Sequence, residues 1–250
     1  MPADIFYYGC AIAAVTLTGL AKGGFGGMGA LAMPVMALAI DPVRGAAILL
    51  PILILQDVVS VWVFRHSWSK HILKVMLPGM ALGISMGYVF AAQVSESAVL
   101  GVVGLISTLF GLQRLWIERG GKVVLPSNSP DWVGAIFGIV SGFTSQIAHA
   151  GSPPYQMWVL PKRLPRDVLV GTTALAFAAM NWMKVPAYAA LGQFTRANLM
   201  ATAMLAPVAL ISTLLGVALV RRIDQARFYT LIYLLMVLLG GKLMVDAVAG

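Results

Sequence analysis

A lysine set inside an apolar run and followed at once by glycines is the first feature of this 250-residue chain that could do chemistry. Lys22 precedes Gly23-Gly24-Phe25-Gly26-Gly27-Met28-Gly29. Glycine lets backbone N–H groups come close to a ligand. A helix restarting after Gly29 would add the partial positive charge of its N-terminus. Lysine, glycine amides and a helix start together make a cradle for an anion. A charged side chain at membrane depth is costly and normally faces a cavity or a partner. The competing structural reading has Lys22 reaching to the membrane interface or neutralising a nearby carboxylate.

A second polar break interrupts another apolar run, as Ser145-Gln146-Ile147-Ala148-His149-Ala150-Gly151-Ser152-Pro153-Pro154. The hydroxyl, amide and imidazole donors of Ser145, Gln146, His149 and Ser152 could satisfy the several oxygens of an oxyanion. His149 titrates near neutral pH in ordinary surroundings, which makes it a candidate for proton coupling. Its alternative is a satisfied structural donor. Pro153-Pro154 suits the end of the break and the first turn of the next helix. Asp57 lies beside Gln56 in one apolar run, and Asn181 and Lys184 lie in another. Asp57 and Lys184 could pair as a structural lock, in which removal of one leaves the other uncompensated. In the other reading Lys184 adds charge to the site and Asp57 takes up a proton. The substrate-binding candidates are therefore Lys22, Gly23, Gly24, Gly26, Gly27, Gln146, His149, Ser152, Asn181 and Lys184. The candidates for proton coupling are His149 and Asp57. Trp182, Trp158 and Tyr155 are candidate cavity walls or packing residues, whereas Trp62, Trp68, Trp116 and Trp132 read as interface anchors.

The elements that position these residues are set by composition. The chain is 60% hydrophobic and 10% charged, with a mean hydropathy of +0.89. Soluble domains carry roughly 25% charged residues, so the class is a polytopic membrane protein with lipid around it. The net charge of +8 is not gathered into a basic stretch with polar surface. It therefore implies no nucleic-acid partner, and reads instead as the cytoplasmic bias of membrane proteins. Cys10 is the single cysteine, which excludes an internal disulfide and a cysteine metal centre. No zinc-protease helix, nucleophile elbow or P-loop occurs in the sequence. An enzyme, a metal, a cofactor and an ATP-driven pump are accordingly not expected. Residues 1–8 hold Asp4 and no Lys or Arg, unlike the start of a cleaved signal, and the chain is read as mature.

A helical crossing needs about 20 apolar residues. Six runs qualify, at 43–64, 72–92, 98–117, 167–191, 198–220 and 226–248. The two broken runs cover 5–40 and 132–160 and take matching places in the order of segments. Setting Gly19 on Gly142 also sets Pro42 on Pro165, and a second constant offset pairs Pro78 with Pro207, Gly87 with Gly216 and Gly111 with Gly240. A duplicated unit follows: residues 1–117 as a first repeat, 118–131 as a cytoplasmic linker, and 132–250 as a second repeat. If the broken runs dip in and return, Arg65, Lys70, Lys74, Arg114, Arg119, Lys122, Lys162, Arg163, Arg166, Arg221, Arg222 and Arg227 all fall on one side. Eight full crossings would scatter them. The expected fold is all-α, with two inverted repeats, each one broken or re-entrant segment plus three transmembrane helices. Both termini would then face outward. Such broken helices build the midplane sites of secondary transporters, and irregular backbone is tolerated there only where it lines a cavity or is buried.

The run Gly19-Leu20-Ala21-Lys22-Gly23-Gly24-Phe25-Gly26-Gly27-Met28-Gly29, with Met33-Pro34 after it, resembles the Gly-rich signature of the TauE/SafE sulfite-exporter family. Asp41-Pro42-Val43-Arg44-Gly45-Ala46, Leu77-Pro78-Gly79, Gly83, Gly87, Leu164-Pro165-Arg166 and Thr172-Thr173 extend the resemblance over essentially the whole chain. The second break departs from the family's usual Gly-rich form. The resemblance implies a secondary transporter, an exporter of a small anion such as sulfite or a short organosulfonate such as sulfoacetate, in the cell inner membrane. A passive anion channel, or a carrier of a carboxylate or another sulfur oxyanion, is the alternative. A homodimer is an open option for assembly.

Overall fold

The computed structural model describes residues 5–25, 28–91, 95–121, 128–219 and 225–249. Its elements are α1 (Ile5–Lys22), a 3₁₀ turn (Met28–Leu31), α2 (Ala32–Ala37), α3 (Pro42–Phe64), α4 (Lys70–Ala91) and α5 (Glu96–Glu118), followed by α6 (Asp131–Ala148), α7 (Ser152–Val159), a second 3₁₀ turn (Leu160–Lys162), α8 (Arg166–Ala190), α9 (Arg196–Leu219) and α10 (Gln225–Ala249). The protein is an all-α integral membrane protein. Six of the described helices are long and apolar enough to cross a bilayer: α1, α3, α4, α5, α8 and α9. Helix α10 has 25 residues. Local signals start the helices where the sequence supplies them. Asp41 caps α3, its carboxylate accepting from the N–H of Val43 at 2.5 Å and of Arg44 at 3.2 Å, with Pro42 as first helical residue. Ser95 caps α5 through the N–H of Ala98. Pro51, Pro78, Pro186 and Pro207 lie inside helices, which a membrane bundle tolerates because neighbours re-satisfy the freed carbonyls.

Glycine contacts fix the helix directions. A Cβ on Gly19 would land on Ser212 and Thr213, and one on Gly23 on the backbone of Gly216, so α1 and α9 run parallel. Gly79 meets Ala135, Gly83 meets Ile139 and Phe143, and Gly87 meets Gln146, so α4 and α6 are parallel as well. Arg44 touches Asn198 and Ile48 accepts from Thr202, which sets α3 beside α9 in one direction. Helix α8 opposes α3, because Gly171 meets Phe64 and Ser67 near its start while Asn181 reaches Asp57 further along. Helices α1, α3 and α9 therefore run one way, and α4, α6 and α8 the other. Since α1 and α3 share a direction, the chain from Gly23 to Asp41 returns to the end from which α1 set out. The stretch from His149 to Pro165 does the same for α6.

Exchanging the halves maps the main helix pairs onto one another. The pair α1–α9 becomes α6–α4, while α3–α8 and α5–α10 map onto themselves, and all are among the packed pairs. The correspondence reaches single residues. Gly23 against Gly216 matches Gln146 against Gly87, and Gly111 against Tyr233 matches Gly240 against Gly104. Around the broken helices the buried core gathers in three groups. Ala11, Met36, Ile48, Tyr188 and Leu205 pack near the Arg44 end, and Ile72, Met76, Tyr155 and Trp158 near the His71 end. Phe25, Met28, Phe110 and Tyr233 form the third group. Outward faces stay apolar, as at Val58, Leu109 and Ile211, which suits lipid rather than water.

Adding one methyl group where two backbones meet tests this packing. Gly142→Ala would drive a Cβ into the carbonyl of Met80, whereas Gly9→Ala meets nothing within 4 Å. Overpacking of this kind costs about 1–3 kcal/mol. A clear fall in the melting temperature in detergent is expected for Gly142→Ala, and none for Gly9→Ala.

Candidate functional site

Helix α1 ends at Lys22 by a run of tightening turns. The N–H of Gly23 donates to the carbonyl of Gly19, and that of Phe25 to Leu20. Gly24 takes a φ of 124°, a conformation that side chains rarely allow. Gly26 and Gly27 lie outside the described residues. After Gly29 the chain restarts with one 3₁₀ turn and a six-residue helix. So short a helix supplies little of the end charge expected at this point, and the positive charge of the site comes from side chains instead.

Helix α6 ends without glycine. His149 itself adopts the left-handed conformation, φ 50°, with its N–H on the carbonyl of Ser145 and the N–H of Ala150 on Thr144. The carbonyls of the break are met from the same helix. Ser141 Oγ donates to Gly151 at 2.7 Å and Thr144 Oγ1 to Ala150 at 3.0 Å. Two carbonyls of the buried break are thus satisfied within the protein. The imidazole of His149 is pinned at both nitrogens. Nε2 lies 2.8 Å from the carbonyl of Ala46, which can only accept. Nε2 must therefore carry the hydrogen, leaving Nδ1 to accept from Lys184 Nζ at 2.6 Å. The ring also stacks on Tyr188.

The two helix ends meet on α3 and α8. Lys22 Nζ pairs with Asp57 Oδ1, and Asn181 Nδ2 donates to Oδ2 of the same carboxylate at 2.7 Å. The Asp57 side chain is 2% exposed. The sequence left Asp57 free to pair with Lys184. In the structure its partners are Lys22 and Asn181, because the tip of α1 brings Lys22 in alongside α3. Lys184, one turn beyond Asn181, is wholly buried and turns to Ser145 and His149. Gln56 holds the carbonyl of Val15 in α1 at 3.1 Å.

Between the helix ends lies a cavity of about 300 Å³. Lys22, Gly24, Ser145, His149, Ser152 and Asn181 line it, together with Tyr155, Phe177, Thr173, Gln156, Arg114 and Arg166. Gly23, Gln146, Asp57 and Lys184 stand behind this lining. Gly23 is occupied by packing on Gly216, and Gln146 faces Gly87, with neither amide atom hydrogen-bonded. Trp182 is 60% exposed and Trp158 lies under Lys162, so neither walls the cavity. Trp62, Trp68, Trp116 and Trp132 are all exposed, as anchors would be. The sequence reading missed Arg114, Arg166, Gln156 and Thr173 as site residues. Arg114 Nη2 donates to Gln156 Oε1 at 2.7 Å, and Gln156 Nε2 to Ser152 Oγ at 2.7 Å, so a cation from the end of α5 is tied to the second break. Arg166 stands at the start of α8, exposed, at the mouth. Among the described residues three cationic side chains line the cavity, and no acidic one does.

A family model described as Sulfite exporter TauE/SafE matches residues 11–243, nearly the whole chain. Neither the curated proteins nor the solved structures contain a significant match.

The buried pair gives a direct test. Lys22→Met leaves Asp57 buried without its cation, a change that costs about 3–5 kcal/mol in such pairs. Lys22→Met combined with Asp57→Leu removes both charges and is expected to recover most of the melting temperature. Equal losses in the single and double variants would show that the pair is not what holds the helix ends together.

Proposed function

The chain belongs to the TauE/SafE sulfite-exporter family, and from that premise we propose that it exports sulfite or a short organosulfonate such as sulfoacetate through the cavity between its two broken helices. Family membership makes it a multi-pass membrane protein and an anion transporter, not an enzyme. The observation that carries the finer reading is the charge of the lining: Lys22, Arg114 and Arg166 with no acidic residue among them. An anion entering this cavity meets hydrogen-bond donors at both ends. Ser145, Ser152, Thr173 and Asn181 lie toward the helix breaks, and the two arginines toward the mouth. Arg114 and Arg166 suit oxyanions because the guanidinium fork matches two oxygens at once. The volume of about 300 Å³ lies at the low end of small-molecule sites. Phe177, Val159, Leu169 and Val170 give it apolar walls, which favours an anion carrying a short carbon body.

A carrier fits better than a channel because the cavity is backed on one side. Met33, Leu49 and Leu53 close it toward the Arg44 end, and the buried Ala11, Met36, Ile48 and Tyr188 lie in the core cluster with them or beside it. Its mouth lies by Arg166 and Arg114, the end that also carries Arg65, Lys70 and Lys162. By the positive-inside rule this end is cytoplasmic. The protein then sits in the inner membrane, open inward, with both termini outside and its halves related as inverted repeats. The opposed directions of α1 and α6 and the exchange symmetry of the packing support that relation.

Purified protein is expected to gain thermal stability from sulfite, sulfoacetate or methanesulfonate and not from choline. A ligand at 100 times its dissociation constant adds about 2.7 kcal/mol. Arg114→Gln should weaken that gain at least tenfold in apparent affinity. In proteoliposomes a carrier saturates and shows counterflow; flux without counterflow would favour the channel. A periplasm-dependent reporter fused to the C-terminus should be active, and one placed between Arg65 and Lys70 inactive. The reverse pattern overturns the assigned orientation.

A further inference from the structure

We propose that Lys184 is the proton carrier of the transport cycle, taking up one proton as an anion binds and releasing it as the anion leaves, an inference that rests on the anion-carrier reading above. The two lysines at the helix breaks have different partners. Lys22 meets a carboxylate, which can only accept. Lys184 meets three uncharged acceptors: Ser145 Oγ at 3.1 Å, the Ser145 carbonyl at 3.4 Å and His149 Nδ1 at 2.6 Å. Its own burial is complete.

That nest accepts both protonation states of Lys184 without rearrangement. As an ammonium, Nζ donates to all three neighbours. As an amine, it donates to the Ser145 carbonyl and to His149 Nδ1, and its lone pair accepts the hydroxyl hydrogen of Ser145. A hydroxyl can turn from acceptor to donor, which a carbonyl or carboxylate cannot. His149 is committed by its own bonds while Nδ1 accepts from Lys184. Its Nε2–H is held by Ala46, and a proton on Nδ1 would face Lys184.

The charged and titratable groups around Lys184 are Asp57 from α3, Lys22 from the tip of α1, His149 from the end of α6, and Tyr188 on its own helix, bound through its hydroxyl to the Gln146 carbonyl. Among these Asp57 is the one acid. With the cavity empty, Asp57 balances Lys22, and an uncharged Lys184 leaves the network neutral. An anion that draws Lys22 toward itself leaves Asp57 with Asn181 alone. A buried carboxylate without a cation is strongly unfavourable. Protonation of Lys184, one turn from Asn181, restores the balance. One anion and one proton enter together, and the network is neutral before and after. The proton comes from the bulk solution through cavity water, which relays it and stays neutral. Ser145 lines the cavity and its Oγ touches Nζ, so the hydroxyl oxygen takes the relayed proton as its own hydrogen passes to the amine lone pair. Release runs the same bonds in reverse.

Methanesulfonate stays ionised throughout the usable pH range, so any proton that moves with it is moved by the protein. Wild-type proteoliposomes given a methanesulfonate gradient and a trapped pH dye should show one proton crossing for each anion. Lys184→Met with Asp57→Asn leaves Lys22 as the one charge of the network, which a bound anion neutralises, and is expected to carry methanesulfonate slowly, as a current, with no proton. Ser145→Ala should slow the coupled flux tenfold or more. Anion flux without proton movement in the wild type overturns this inference alone, as does proton movement in the double variant. Absence of both methanesulfonate binding and flux in the wild type overturns the anion-carrier reading and this inference with it. The wild-type ratio decides the matter even where a variant fails to fold.

Discussion

One carboxylate organises the centre of this protein. Asp57 is the one buried acid among the described residues, and it receives Lys22 from the first break and Asn181 from the helix after the second. A charge inside a bilayer needs a partner, and the partner here is delivered by the last residue of α1. The length of α1, the glycines that let it lie on α9, and the turn at Gly23 and Gly24 all bring Lys22 to Asp57. The ion pair is therefore a constraint on the fold as well as a property of the site.

The cavity follows from that constraint. The breaks at Lys22 and His149 lie at the ends of two helices running in opposite directions, and the cavity lies between those ends. The last turns of α6 are polar because broken backbone must be satisfied within the protein. Donors collect at the breaks, with Ser145, His149 and Ser152 on one break and Lys22 on the other. With the single acid already committed to Lys22 and Asn181, the unfilled capacity of the site is for negative charge. The arginines extend that capacity to the mouth, where Gln156 carries the connection from Arg114 back to Ser152.

Much of this was legible in the sequence, and the physical reason differs from residue to residue. The breaks stood out because Lys22 and His149 interrupt apolar runs that otherwise continue. Equal spacings of Gly19 and Gly142, or of Gly87 and Gly216, were legible because backbone-to-backbone packing tolerates no Cβ. The partner of Asp57 was not legible, since spacing along the chain says nothing of which helix tip lies alongside α3. Arg114 and Arg166 were counted with the cytoplasmic anchors, because a cation near a helix end carries the same charge signal whether it faces lipid headgroups or curls into a cavity. Gln146 misled in the opposite sense. It sits within a polar break, yet its position faces Gly87, as Gly23 faces Gly216 in the other half.

That last difference separates the two halves in chemistry while keeping them alike in shape. Where the first half sets glycine against glycine, the second sets a glutamine against glycine and leaves both atoms of its amide unbonded. A buried amide without partners costs free energy in this arrangement. The two equivalent contacts are therefore unequal in energy, although the backbones approach alike. A carrier with two matched halves could open to either side with equal ease. Here the α4–α6 contact is held at a cost that the α1–α9 contact does not bear, so any movement that gives Gln146 a partner is favoured.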